Sequence, residues 1–331
     1  MTILAGDIGG TNVRLALFEE REGRLERGRI EKYRVREFEG LEAVVRAFLR
    51  PDDAVAAAGF GIAGPVKDGR CIATNFPWRV DVADVRAAFA IPVAVLVNDL
   101  VANGWGVSEL PPAGFAVLNE GVAAPDGNAA ILSPGTGLGE GYLVRIAGRL
   151  VPQASEGGHA SFAPRHPEEV ELLKFLEGEF GHVSYERILS GPGLRNLYRF
   201  ERLRSGRPQP EWLTAEFAEA GDHAPVIAKN ALNNRDDVCM RTLQRFASIL
   251  GGEAGNLALK VLATGGVFLG GGIPPKILPR LREGTFFTAF CDKGRFGPLL
   301  SRIPVKVILD DTCALLGAAR AAADARGRGA G

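Results

Sequence analysis

The sequence carries no surplus of charge: 39 basic residues balance 39 acidic ones. No global field therefore draws the chain to nucleic acid or to an anionic membrane surface. It also lacks any uncharged apolar stretch of roughly 18 residues, the length a spanning helix needs. Cysteine is scarce. Cys71, Cys239, Cys291 and Cys313 stand far apart, with no CxxC spacing and no Cys/His cluster. That argues against structural zinc and for reduced, mostly buried thiols. No basic segment followed by an apolar one opens the chain, and the expected address is cytoplasmic.

What is present is an ordinary soluble composition, 46% apolar and 24% charged over 331 residues. That length is too great for one small core, so two domains are expected. Pro111-Pro112-Ala113-Gly114 is the candidate boundary. On both sides of it, buried-strand patterns alternate with helical ones, which reads as α/β with a mixed sheet. Residues 226–263 hold apolar positions at helical spacing, interrupted by Gly251-Gly252. There either the helix breaks or another element approaches the backbone closely. Helical patterns also cover 185–189 and 312–322, and the Ala/Arg/Gly-rich end, 326–331, is expected to fray.

Two glycine turns carry the first chemical signal. Gly6-Asp7-Ile8-Gly9-Gly10-Thr11-Asn12 joins apolar runs at 3–5 and 13–18 and reads as a hairpin turn. Its glycines let backbone N–H groups face an anion, Thr11 and Asn12 add donors, and Asp7 can hold a cation or its water shell. A phosphate-bearing ligand with Mg²⁺ is the economical reading; an ordinary tight hairpin is the alternative. Ser133-Pro134-Gly135-Thr136-Gly137-Leu138-Gly139 repeats the arrangement of strand, Gly/Thr turn and strand.

Acids and amides carry the second signal. Asn98-Asp99 directly follows an apolar strand, where open α/β sheets keep their chemistry. Asp99 is the candidate to accept a proton from an attacking hydroxyl, although the pair also suits a helix N-cap. Glu156-Gly157-Gly158-His159 places a carboxylate and an imidazole with no side-chain bulk between them, fit for a polyol or simply for the surface. Glu186 is a possible third acceptor or a plain first-turn acid. Thr74-Asn75-Phe76-Pro77-Trp78 mixes donors with aromatic surface, as sugar pockets do, while Trp78 also suits a core. Arg14, Arg187 and Arg195 are read as structural.

Taken together, these residues closely resemble the bacterial ATP-dependent glucokinase family, within the sugar kinase, heat-shock 70 and actin superfamily. The resemblance spans essentially the whole chain in the family's motif order. It implies an actin-like ATPase (ribonuclease H-like) fold, with two α/β domains around a cleft. The small domain would be 1–110 completed by a C-terminal helix at 312–325, and the large one 111–311. By resemblance, Gly6–Asn12 is the first phosphate loop and Gly135, Thr136 and Gly137 the second. Gly265 and Gly271 mark the adenosine side; Ser190-Gly191-Pro192-Gly193-Leu194 is a further signature. Asn98, Asp99, Glu156, His159 and Glu186 match the sugar-binding set, with Asp99 the base. ATP and Mg²⁺, glucose 6-phosphate as product and a homodimer follow from the same likeness. The cysteine-rich zinc motif of many related repressors and kinases is missing after His159, and no helix-turn-helix precedes residue 1, which disfavours a repressor. A kinase for another hexose or amino sugar, a carboxylate kinase, and a nucleotide-gated regulator are the competing expectations.

Overall fold

Apolar residues on both faces of the first strand demand a sheet covered on two sides. In the computed structural model, which describes residues 1–72 and 78–328, the chain opens with β1 (Thr2–Ile8), β2 (Asn12–Arg21) and β3 (Arg24–Arg34). Then come α1 (Leu41–Phe48), β4 (Ala57–Ile62), and the small antiparallel trio β5 (Val66–Lys67), β6 (Arg70–Ile72) and β7 (Arg79–Asp81). α2 (Val82–Phe89), β8 (Val93–Asn98) and α3 (Asp99–Val107) follow. The middle of the chain holds β9 (Phe115–Asn119), β10 (Ala129–Pro134), β11 (Leu138–Ile146), β12 (Arg149–Gln153), α4 (Pro167–Phe180) and α5 (Gly191–Ser205). After these run α6 (Glu211–Ala220), α7 (His223–Leu232), α8 (Asp237–Val261), β13 (Gly266–Leu269), α9 (Leu278–Leu281) and α10 (Thr285–Cys291). α11 (Gly297–Leu300), β14 (Val305–Ile308) and α12 (Cys313–Arg328) close the sequence. Two compact units result: Met1–Gly114 with Leu150–Ala154 and Asp310–Gly331, and Phe115–Arg149 with Ser155–Leu309.

In the first unit the strands lie in the order β3-β2-β1-β4-β8, with β1, β4 and β8 parallel. Side chains alternate across a strand, so β1 feeds two cores. Leu4 and Ile8 join Val44, Val45, Phe48 and Val85 on the side of α1 and α2. Ile3 and Ala5 join Leu315, Ala318, Ala319 and Ala322 of α12. The alanine stripe lets α12 lie close to the sheet, and the helix runs on to Arg328, past the residue 325 expected as its end. The parallel register sets Ile8 beside Ile62 and Ile62 beside Asn98. The ends of three strands thereby share one edge, carrying the first glycine turn and Asn98-Asp99.

In the second unit five strands lie in the order β11-β10-β13-β14-β9, with β10, β13 and β14 parallel. The single helical stretch expected over 226–263 is two helices. Asn234 takes a left-handed φ of 53° between them, and Asp236 caps α8 by accepting from Cys239 N at 2.8 Å. α8 passes unbroken through Gly251-Gly252. The second option holds there: a side chain at Gly251 would stand 2.0 Å from the Phe286 carbonyl oxygen of α10. The helix expected at 185–189 is only a 3-10 turn, Tyr185–Arg187.

Candidate active site

At the edge of the first sheet, Gly9 N donates to Asn12 O at 3.0 Å and closes the turn, leaving Gly10 and Thr11 exposed. Asp7 sits opposite Arg14 across the hairpin. Its Oδ2 accepts from Arg14 Nη2 at 2.8 Å and from Nε at 3.2 Å. Arg14 Nη1 also reaches Asp311 at 2.9 Å. Burial opposes the Arg14 charge, but the bonds and fields of Asp7 and Asp311 raise its pKa above the usual guanidinium value. Arg14 is structural in a specific sense: it fixes the orientation of Asp7.

Asn98 is the N-cap of α3, its Oδ1 accepting from Leu100 N at 2.9 Å while its Nδ2 donates to Gly64 O at 3.2 Å. The cap makes Asp99 the first residue of α3, half-buried, its Oδ1 also accepting from Leu100 N at 2.9 Å. The positive end of a helix favours an ionised carboxylate at that position.

In the second unit, the turn between β10 and β11 meets the acids directly. Glu186 Oε2 accepts from Leu138 N at 3.0 Å and fills the space a side chain at Gly137 would need. His159 Nδ1 lies 3.9 Å from Glu186 Oε1, and its Nε2 lies 3.9 Å from Glu156 Oε2. Glu156, His159 and Glu186 thus form one cluster, with side chains 79%, 60% and 31% exposed. The paired glycines do something besides removing bulk. Gly158 is buried, and a Cβ there would stand 2.0 Å from the Leu138 carbonyl oxygen. The 3-10 turn Gly157–His159 is pressed onto the start of β11, which carries the Gly135–Gly137 turn at its head.

Behind that turn, the N-terminus of α5 is tied in by Gly191 N donating to Gly135 O at 2.8 Å. Ser190 caps α5, accepting from Gly193 N at 3.0 Å and donating to Glu186 O at 2.7 Å. Beside it opens a cavity of about 490 Å³ lined by Thr136, Gly191, Arg195, His223, Lys276 and Ile277, among others. Its walls combine apolar surface with two cations, which suits a nucleoside with a phosphate tail. His223 stacks on Phe217 with ring centroids 4.4 Å apart, and burial, then Arg195, lowers its pKa, favouring the neutral ring. Arg195, read from sequence as structural, and Lys276, not singled out, both line this cavity. Each follows a glycine turn by a few residues, the signal that was available.

Gly271 belongs to this end of the sheet: its neighbours bond β10, Gly270 N to Leu132 O at 2.8 Å and Ile273 N to Pro134 O at 3.2 Å. Gly265, expected on the nucleotide side, does not. Gly266 pairs with Ala129 at the start of β10, so Gly265 lies at the opposite end, its N–H on Asn128 O at 2.7 Å. Trp78 is 6% exposed and donates to Phe38 O at 3.0 Å, a core residue. Thr74 and Asn75 lie outside the described residues. Among the described residues, no helix is long and apolar enough to cross a membrane, and no three His, Cys, Asp or Glu side chains form a metal-binding group.

A sequence model of the family described as Glucokinase matches residues 4–325. The chain is 38% identical over 337 residues to a glucokinase from Nostoc sp., covering 97% of this chain and 98% of the relative. A glucokinase from Stenotrophomonas maltophilia is 36% identical over 330 residues, covering 98% and 95%. Among solved structures, glucokinase from an Antarctic psychrotroph superposes with a TM-score of 0.86 at 32% identity, covering 98% of this chain and 99% of that one.

Proposed function

This chain belongs to the glucokinase family and is an ATP-dependent phosphotransferase that forms glucose 6-phosphate, and from that premise we propose which residues carry the reaction. Glu156, His159 and Glu186 hold the sugar by its hydroxyls, and Asn98 adds an amide. Asp99 takes the proton of the 6-hydroxyl as that oxygen attacks the γ-phosphorus in line. Gly135, Thr136 and Gly137, with the exposed backbone of Gly10 and Thr11, receive the phosphates. The adenosine lies in the cavity bounded by Gly191, Lys276 and Ile277, with Gly272, the residue after Gly271, in its wall. Arg14 holds Asp7 in an orientation from which its carboxylate would bind the water shell of a nucleotide-bound Mg²⁺, and that ion would offset phosphate charge. No covalent enzyme intermediate is needed, so positioning and electrostatics supply most of the rate.

The observation that carries this reading is the hydrogen bond from Leu138 N to Glu186 beside His159. It supports the reading by joining the proposed polyol acceptors to the proposed phosphate turn, a union that a nucleotide-gated regulator would not need. Glu156→Gln tests it. Hydrogen bonds to a charged acceptor are worth about 1.5–3 kcal/mol against about 0.5–1.5 for neutral ones. Calorimetry should therefore show glucose weakened about tenfold with ATP affinity unchanged. Equal losses for both ligands would remove Glu156 from the sugar. ATP as donor implies a cytoplasmic setting, and the homodimer implied by the family likeness should appear by sedimentation.

A further inference from the structure

Behind the sugar-holding loop lies an acid that the reaction does not use. Glu140 of β11 is 2% exposed. Its Oε2 stands 2.7 Å from where a Cβ at Gly157 would be, so the carboxyl fills the space beneath the 3-10 turn that carries His159. Among the described residues, its Oε1 has no hydrogen-bond partner. A buried polar atom left unpaired is costly, and such a group needs a reason to stay. Glu140, Tyr142, Ser155, Gly157 and Lys260 line a cavity of about 610 Å³. The loop is therefore propped by this carboxyl rather than by a filled apolar core.

The groups facing Glu140 come from α8. Glu253 is fully buried, with Lys260 Nζ at 3.6 Å from its Oε1 and Asn256 Nδ2 donating to its Oε2 at 2.8 Å. Asn256 also donates to the Tyr185 hydroxyl at 3.2 Å. Tyr185 heads the turn that carries Glu186, and burial and then Glu253 raise its pKa. Lys293 adds a further cation in the field of Glu253. Glu140 thus backs Gly157, while Glu253 bears on Tyr185 through Asn256. Each arm ends one or two residues from a sugar-holding side chain.

We propose that Glu140 is a positioning residue whose buried carboxyl sets the Glu156–His159 loop and so the glucose affinity, without touching sugar or nucleotide. This rests on the assignment of Glu156 and His159 to glucose. Burial, then the field of Glu253, pushes the Glu140 pKa up to about 8, with Lys260 opposing. Its folded pKa is raised, so the neutral carboxyl is present below that value. As pH rises through it, the proton leaves and a charged carboxylate is left in a buried space beneath the loop.

The test is KM for glucose and for ATP at several pH values in wild type, Glu140→Gln, Glu140→Ala and Glu156→Gln, with thermal melts. Wild-type KM for glucose should rise about fivefold or more between about pH 7 and about pH 9, with KM for ATP flat. Glu140→Gln, a neutral isostere, should keep the neutral-pH KM and abolish the rise. Glu140→Ala should raise KM for glucose about tenfold at neutral pH, with kcat and KM for ATP within about twofold. An alkaline rise that persists in Glu140→Gln, a flat wild-type profile, or equal losses for ATP would overturn the proposal. A flat wild-type profile overturns the proposal even where a variant fails to fold. Glucose weakened by Glu156→Gln while both Glu140 variants match wild type would sink the positioning role alone. An unaffected Glu156→Gln would sink the sugar-loop assignment, and the proposal with it.

Discussion

Asp99 stands one residue beyond β8, at the head of α3, with Asn98 making the cap. That division of labour gives a sharp expectation for Asp99→Asn. The amide preserves shape and the contact with Leu100 N but takes no proton. Glucose affinity and the melting temperature should hold while kcat falls roughly 10²–10⁴-fold, the usual worth of a positioned base. Calorimetry with stopped-time assays checks it, and kcat within about threefold of wild type would exclude the role. Asp99, Glu156 and His159 stood out as candidates because each sits in a local pattern of strand end or paired glycine. The Asp7–Arg14 pair was not, because it depends on hairpin register rather than on neighbours in sequence. Nor was Glu140, an ordinary strand acid until β11 is packed beneath Gly157.

At the scale of elements, the Glu156–His159 loop has its conformation imposed by contact with β11. Gly158 leaves no room for any side chain against the Leu138 carbonyl, and that backbone has little freedom because Leu138 N is bonded to Glu186. Gly158→Ala should therefore cost roughly 1–3 kcal/mol, the range for overpacking. It should also raise KM for glucose, seen by thermal melts and steady-state kinetics together. Unchanged stability with unchanged KM would show that the turn relaxes freely. Helix and strand types were legible from periodicity in the longer elements, though not at 185–189, and the reason for Gly251 was not. Sequence offered a broken helix or a close neighbour, and only the approach of α10 decides between them. The break lies instead at Asn234, where one left-handed residue and the Asp236 cap separate α7 from α8.

For the whole molecule, the link between the first strands and the last helix matters most. Ile3 and Ala5 share a core with Leu315 and Ala318, a contact that no local pattern announces; only the likeness to a family suggested it. The balanced charge, 39 against 39, leaves recognition to local groups, for which the proposed ones are the glycine turns, the Glu156–His159–Glu186 cluster and the cavity beside Arg195 and Lys276. None of these distinguishes one hexose hydroxyl orientation from another by residue type alone, so the acceptor is the decisive observable. Purified protein with Mg²⁺ should be assayed for sugar 6-phosphate formation against glucose, mannose, fructose and N-acetylglucosamine, with ATP and with polyphosphate as donors. The account predicts the highest kcat/KM for glucose with ATP, and sugar-free ATP hydrolysis orders of magnitude slower. A higher kcat/KM for another sugar, or polyphosphate used more efficiently than ATP, would contradict it.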